Sequence, residues 1–183
     1  LENFLGDAES PIRQACAEQV ALLAKFCKIT SDCSDEKGYE LIITHLLPLC
    51  AQFLEDDKPE VRQAAGSCLV EIAKLLKRED LGPHVLTIVL ALAHDDDKEE
   101  MRMTASELLN QLAEWLGEDL CKQFVIPEGV SLAEDPVFRV RKSTALNFQN
   151  VCKVGGEHEL FERLMPAYVR LSKDEMYRVR RAC

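Results

Sequence analysis

Paired metal-binding motifs are missing from this 183-residue sequence. Its eight cysteines form no Cys-x-x-Cys pair: Cys16, Cys27, Cys33, Cys50, Cys68, Cys121, Cys152 and Cys183. The four histidines, His45, His84, His94 and His158, show no His-x-x-x-His or mixed Cys/His spacing. We therefore expect no metal site and no disulfide framework. Cysteines at apolar helical phases are typical of a reducing compartment, so the expected location is the cytoplasm or the nucleus.

Catalytic motifs are missing as well. There is no Gly-x-x-x-x-Gly-Lys phosphate loop and no nucleophile elbow. Helical-repeat iron hydroxylases need several His-Glu pairs, and the single one here, His158-Glu159, is better explained as the opening of a helix. The acidic residues 95–100 lack the spacing and the central glycine of a calcium loop. The sequence thus predicts a protein that is not an enzyme, with no catalytic residues and no cofactor.

Long apolar runs and excess positive charge are also lacking. The longest nearly apolar run, residues 85–93, is too short to cross a bilayer, so no membrane partner is expected. The net charge of −10 argues against sequence-independent nucleic-acid binding, which needs Lys and Arg to neutralise phosphates. The charge is uneven, with −15 in residues 1–137 and +5 in residues 138–183. This asymmetry indicates docking of protein partners by complementary charge, or simply solvated helix faces.

What the sequence does contain is a repeat. Five arginines, each with an aspartate six positions earlier, recur at intervals of 49, 40, 39 and 39 residues. We call these pairs the Asp/Arg ladder: Asp7 and Arg13, Asp56 and Arg62, Asp96 and Arg102, Asp135 and Arg141, Asp174 and Arg180. A fixed period of this length predicts a stacked array in which each unit buries its apolar face against its neighbours.

Each unit reads as two helices. In the second unit, positions −1, +3, +7 and +10 from the ladder arginine are Val61, Ala65, Leu69 and Ile72, which trace one face of a helix. Most first helices contain a proline 14 residues before the ladder arginine: Pro48, Pro127 and Pro166. The third repeat is the exception, because it has Ile88 at that position and Pro83 five residues earlier. A proline inside a helix bends it, so kinked first helices and straight second helices are expected.

These patterns predict an all-α fold, a right-handed α-solenoid of about four and a half HEAT-type helix pairs. The expected units are residues 1–29, 39–78, 81–117, 119–155 and 157–183, with an exposed polar loop at 30–38. Because neither end looks like a capping repeat, we expect a single array that is part of a longer solenoid.

The ladder has two possible roles. Each aspartate falls near the start of a second helix, where a carboxylate caps free N–H groups, and each arginine can reach the aspartate of the adjoining repeat. We favour a structural ladder that sets repeat register over a charged binding strip.

Two aromatic residues form the candidate partner-binding site. Phe138 and Tyr177 lie three positions before a ladder arginine, in the expected inter-helix turns, and Arg139 and Arg178 follow them. An aromatic ring beside a cation has the composition of a binding hot spot. The alternative, that both rings fold back onto their own repeat, stays open.

Residues 135–142 and 174–183 resemble the HEAT repeats of scaffold and regulatory subunits of the protein phosphatase 2A class. The stretch containing Asn147-Phe148 and Cys152-x-Val154-x-Gly156 is similar to regulatory subunits of serine/threonine protein phosphatase 4, and the order of such stretches matches over essentially the whole chain. The resemblance implies a non-catalytic subunit that binds a phosphatase catalytic subunit and directs it to substrate proteins. In the related scaffold, turns of the form Asp-x-x-Trp-x-Val-Arg contact partner subunits, and Phe138 and Tyr177 take the Trp position here, although neither is Trp.

Another class of function remains open. A transport receptor or cytoskeletal adaptor built from HEAT repeats would bind a GTPase, cargo or tubulin with a similar array.

Overall fold

The computed structural model describes residues 2–34 and 37–183, except for the side chains of residues 2 and 30–36. Every regular element in these described ranges is helical, which confirms the expected all-α solenoid class. The chain divides into two compact units, Leu1–Ile88 and Val89–Cys183.

The first unit places its two long helices side by side. After a 3-10 turn at Glu2–Phe4, the elements are α1 (Ser10–Ser34), α2 (Lys37–Leu41), a π-helical turn (Ile42–Leu46), α3 (Leu47–Leu54), α4 (Pro59–Ala73), α5 (Arg78–Asp80) and a second π-helical turn (Leu81–Leu86). Helix α4 packs against both α1 and α3. It begins at Pro59 because proline has no N–H to leave unsatisfied there, and because its fixed φ suits the first helical position.

The second unit repeats the arrangement. Helix α6 (Thr87–Ala93) contains the boundary between the two units. The elements after it are α7 (Glu99–Leu120), a π-helical turn (Cys121–Val125), α8 (Ile126–Leu132), α9 (Phe138–Leu146), α10 (Gln149–Glu159), a π-helical turn (Leu160–Leu164), α11 (Met165–Ser172) and α12 (Tyr177–Arg180). Helix α7 packs against α9 and α10, and α9 packs against α12.

Two glycines separate successive helix pairs. Gly117 (φ 78°, ψ 174°) interrupts α7, and Gly156 (φ 79°, ψ 168°) interrupts α10. Residues with a Cβ atom rarely adopt this backbone conformation, so each glycine permits a sharp bend without strain. The bends lie next to the boundaries between repeats that the sequence predicts, after residue 117 and after residue 155.

The first helices are interrupted by π-helical turns. Pro48, Pro127 and Pro166 each lie two residues after such a turn, at the start of α3, α8 and α11. Proline removes one i→i−4 hydrogen bond and clashes with the carbonyl four residues earlier, and the wider π turn accommodates both effects. The third pair has its π turn at Leu81–Leu86, although Ile88 takes the proline phase. This turn itself contains Pro83, so each of the four described π turns has a proline within it or two residues after it.

The expected apolar phases are buried in most helix pairs. Val61, Ala65, Leu69 and Ile72 have no solvent exposure, and the matching residues of α7, α9 and α10 are buried too. The first pair departs from this pattern, because Ile12 and Leu23 are 41% exposed.

Two expectations are corrected. The expected loop at 30–38 is helical wherever it is described, since α1 continues through Ser34 and α2 begins at Lys37; residues 35–36 lie outside the described ranges. Polar composition is compatible with an exposed helical turn, and the stretch contains no proline to end α1. The predicted straight second helix of the fourth pair is also wrong, because the helix breaks at Asn147 (φ −115°, ψ 30°).

Side-chain amides account for this break. Asn147 donates from Nδ2 to the Ser143 carbonyl at 2.8 Å, and Asn110 of α7 accepts the backbone N–H of Asn150 at 2.8 Å. Asparagine competes in this way with the hydrogen bonds of a continuing helix. The restart at α10 is thus capped by a residue 40 positions away.

Burial predicts the cost of truncating the central residues of α4. Leu69→Ala and Ile72→Ala should each destabilise the protein by about 2–5 kcal/mol, since each leaves a cavity among close-packed side chains. Urea unfolding followed by circular dichroism measures this. The exposed Ser67→Ala on the same helix should change stability by less than about 0.5 kcal/mol. Losses below about 1 kcal/mol for both core variants would contradict the assigned packing.

Candidate functional site

The ladder aspartates fix the turns between paired helices. Asp56, Asp135 and Asp174 each accept the backbone N–H two residues later through Oδ1, at 2.9, 2.8 and 2.8 Å respectively. Asp7 makes the same contact with the N–H of Glu9 at 2.9 Å. Asp56, Asp135 and Asp174 thus each bind the N–H of the N-cap residue and close a turn just before the second helix. The expected capping of free N–H groups inside the helix is wrong, because these three helices have no side-chain cap.

Three ladder arginines bind the aspartate of the next turn with both branches of the guanidinium. The Nε–Oδ2 distance is 2.7 Å in each rung, and the Nη2–Oδ1 distances lie between 3.0 and 3.2 Å: Arg13 with Asp56, Arg102 with Asp135, and Arg141 with Asp174. The remaining nitrogen, Nη1, donates to a backbone carbonyl of the arginine's own turn, at 2.7 to 2.8 Å. Each of these arginines therefore joins two successive turns.

The third turn shifts the ladder by one residue. Asp95, not Asp96, accepts backbone N–H groups, from Asp97 at 3.0 Å and Lys98 at 2.8 Å. Arg102 likewise donates from Nη1 to the Asp95 carbonyl at 2.7 Å. The assignment of Asp96 to the ladder is therefore corrected to Asp95. Three consecutive aspartates leave the register undefined in the sequence, and only the backbone path of the turn selects one of them.

The other ladder members have fewer described contacts. Arg62 is buried and donates from Nη1 to the Asp56 carbonyl at 2.7 Å. Arg180 makes the corresponding bond to the Asp174 carbonyl at 2.6 Å. Because Arg62 and Asp96 belong to different compact units, a rung between their turns stays a prediction.

The rungs are largely shielded from water. Their arginine side chains are 10–12% exposed and their aspartates 7–9% exposed. Hydrogen bonding to Arg13 lowers the pKa of Asp56, and hydrogen bonding to Arg141 lowers that of Asp174. Bidentate geometry and partial burial make such pairs stronger than exposed ion pairs, so the ladder can hold repeat register.

Phe138 and Tyr177 are the first residues of α9 and α12, so they begin helices and do not lie in turns. Tyr177 is 57% exposed, whereas Phe138 is half-buried. Arg139 lies 5.9 Å from the centroid of the Phe138 ring, and Arg178 lies 5.9 Å from that of Tyr177. We call these four residues the aromatic edge.

One contact of the aromatic edge was not foreseen. Arg139 forms an ion pair with Glu99, the first residue of α7. Glu99 and Phe138 occupy the same position in successive repeats, three residues before a ladder arginine. Arg139 follows Phe138 directly, so the repeat alignment of the sequence could have indicated that Arg139 and Glu99 lie close together. Arg178 donates from Nε to the Tyr177 hydroxyl at 3.3 Å, and this contact with its positive charge lowers the pKa of Tyr177.

Among the described residues no group of three or more His, Cys, Asp or Glu side chains could hold a metal ion. No helix in the part of the chain that the structure describes is long and apolar enough to cross a bilayer. The cysteines whose side chains are described are free thiols, and Cys33 lies outside that set.

Comparison with known proteins gives matches at two levels. Residues 46–76 match the family described as HEAT repeat. The whole chain is 27% identical, over 187 residues, to the protein named serine/threonine-protein phosphatase 4 regulatory subunit 1 in mouse and in rat. The human protein of the same name is 27% identical over 186 residues. The chain spans 19% of the length of these relatives.

Removing a rung should destabilise the fold. Arg102→Ala leaves the shielded Asp135 carboxylate without its cation, at an expected cost of about 1–3 kcal/mol in urea unfolding. The matched control is Arg163→Ala, which removes an exposed ion pair with Glu159 and should have little effect. Unchanged stability of Arg102→Ala combined with loss of partner binding would instead identify the ladder as a binding strip.

Stability should depend on pH through Asp174. Its pKa is lower in the folded state, so its contribution is complete above the unfolded value of about 4 and disappears as the pH falls through the folded value. The difference in unfolding free energy between the native protein and Asp174→Asn should therefore be constant from about pH 5 to 7 and shrink below about pH 4. A difference that grows on acidification would contradict this assignment.

Proposed function

We propose that this chain is part of a non-catalytic HEAT-repeat scaffold that binds a serine/threonine phosphatase catalytic subunit and directs it to substrate proteins. The observation that carries the proposal is the similarity, along the entire chain, to proteins named as phosphatase 4 regulatory subunits. The paired helices support it, since a helical-repeat surface holds two proteins together and so raises their effective concentration. The site of action we propose is the cytoplasm or the nucleus.

The aromatic edge is the proposed contact with the catalytic subunit. Its two aromatic–arginine pairs lie at the starts of α9 and α12, which pack against each other. Tyr177 keeps more than half of its side chain in solvent, so its ring is available to a partner. Tyrosine and arginine are the residue types most often found at the energetic centres of interfaces.

Charge supports the same face. Arg139 and Arg178 are exposed, and a guanidinium has five N–H donors, so Arg139 can retain Glu99 while it binds a partner. The Phe138 ring is half-buried, which is closer to the alternative in which the ring folds back onto its own repeat. Tyr177 is therefore expected to contribute more to binding than Phe138.

Truncation of the aromatic edge should weaken binding without unfolding the protein. We expect Tyr177→Ala to reduce affinity for a phosphatase-4-type catalytic subunit by at least about fivefold, and Phe138→Ala to reduce it less. The measurement is a binding titration, with circular dichroism as the folding control. Phe161→Ala is the matched variant, since Phe161 is an exposed aromatic of the same unit outside the edge.

Three outcomes would overturn parts of this proposal. Native affinity in both edge variants would place the interface elsewhere, and the acidic residues 57–60 and 95–100 would be the next candidates. Unfolding of both variants would make the rings part of the core. Capture of a GTPase or tubulin in place of a phosphatase by the full-length protein would favour the transport or cytoskeletal function.

A further inference from the structure

A groove runs along the surface where the two long helices of the first unit pack together. It is open to solvent and has a volume of about 430 Å³, and we call it the α1–α4 groove. Its lining includes the small side chains of Ala21, Ala64 and Cys68. Small residues at a helix crossing leave space that larger side chains would fill, so the groove follows directly from the sequence of the two helices.

The remaining lining is polar and comes from one face of each helix. Helix α1 contributes Gln14 and Glu18, one turn apart, and α4 contributes Glu60, Gln63, Ser67 and Glu71 at offsets of 3, 7 and 11 residues. Such spacings place side chains on one side of a helix. Gln14 donates to Glu18 at 3.0 Å, and Ser67 donates to the Gln63 carbonyl at 3.0 Å. Further amide and hydroxyl capacity remains for hydrogen bonds to an incoming chain.

The charge in the groove is compensated at one end only. Lys25 binds Glu71 at 2.8 Å and Lys74 binds it as well, and these contacts lower the pKa of Glu71 to about 2. Glu18 and Glu60 have no cation partner among the described side chains, and no lysine or arginine lines the groove. Two exposed carboxylates without a cation therefore line an open groove.

We propose that the α1–α4 groove docks an extended segment of a partner protein that carries lysine or arginine. Cationic side chains of the segment are placed beside Glu18 and Glu60, one for each carboxylate. Gln63 and Ser67 bond the peptide groups of the segment, which replaces the water they lose on docking. Complementary charge then sets the specificity and speeds the encounter.

The second unit provides a contrast within the same chain. Glu60 lies two positions before its ladder arginine, and the residues at that phase in α9 and α12 are Arg139 and Arg178. Gln63 likewise corresponds to Lys142 of α9. The phase is acidic again at Glu100 of α7, so the basic residues distinguish α9 and α12, and not the whole second unit, from the groove. The inference concerns a different surface from the aromatic edge and does not depend on phosphatase binding.

A direct binding measurement tests the proposal. The probe is a short peptide of alternating arginine and serine with blocked ends, titrated by fluorescence anisotropy at low and at physiological ionic strength. We expect saturable binding that is weakened at least about tenfold in the double variant Glu18→Gln/Glu60→Gln. The matched control, Glu55→Gln/Glu79→Gln, removes two exposed carboxylates of the same unit outside the groove and should leave the Kd within about twofold.

A steric variant separates the groove from general electrostatic attraction. Ser67→Trp fills the space without changing any charge and should also abolish binding; if it fails to fold, Gln63→Ala should weaken binding about threefold or more. Three results would overturn the proposal: no saturable binding of the peptide, equal weakening by both double variants, or unchanged binding after the groove is filled. Phosphatase binding should be unaffected in all of these variants, so this inference and the proposed function fail separately.

Discussion

The bidentate bond between a ladder arginine and the aspartate of the next turn ties successive helix pairs together at the entrances to their second helices. The guanidinium fork is rigid, and the aspartate that it binds is already held by a backbone N–H of its turn. In the rung from Arg141 to Asp174, for example, Nη1 of the arginine is also bound to the Asp135 carbonyl. One side chain thus fixes two consecutive turns, and with them the starting points of two second helices.

The same constraint positions the surface that we assign to partner binding. Tyr177 follows Asp174 by three residues, so the rung that fixes the aspartate also fixes the first residue of α12. Phe138 stands in the same relation to Asp135. An exposed ring placed by a shielded ion pair loses little conformational freedom when it binds, which favours affinity. Structural and binding roles are therefore divided between neighbouring residues of one turn.

Because the ladder residues are shielded, the exposed residues next to them can differ in charge from one helix to another. The arginines at the ladder phase are mostly covered, whereas positions two before and one after them reach solvent. These positions are acidic or neutral in the first unit and in α7, as at Glu60, Gln63 and Glu100, and basic in α9, as at Arg139 and Lys142. One repeated scaffold thereby offers surfaces of opposite charge, each suited to a different protein segment.

The sequence by itself determined the helix pairs, their period and their buried phases, because these depend on side chains a few residues apart: Leu69 is buried as its spacing predicts. Tertiary structure decided the details that involve distant atoms. Only the folded turn selects Asp95 over Asp96, since three adjacent aspartates are equivalent in the sequence. Likewise, the break at Asn147 is paired with a cap from Asn110, one repeat away. Local periodicity therefore specifies the elements, whereas the register and interruption of each element depend on contacts with the neighbouring repeat.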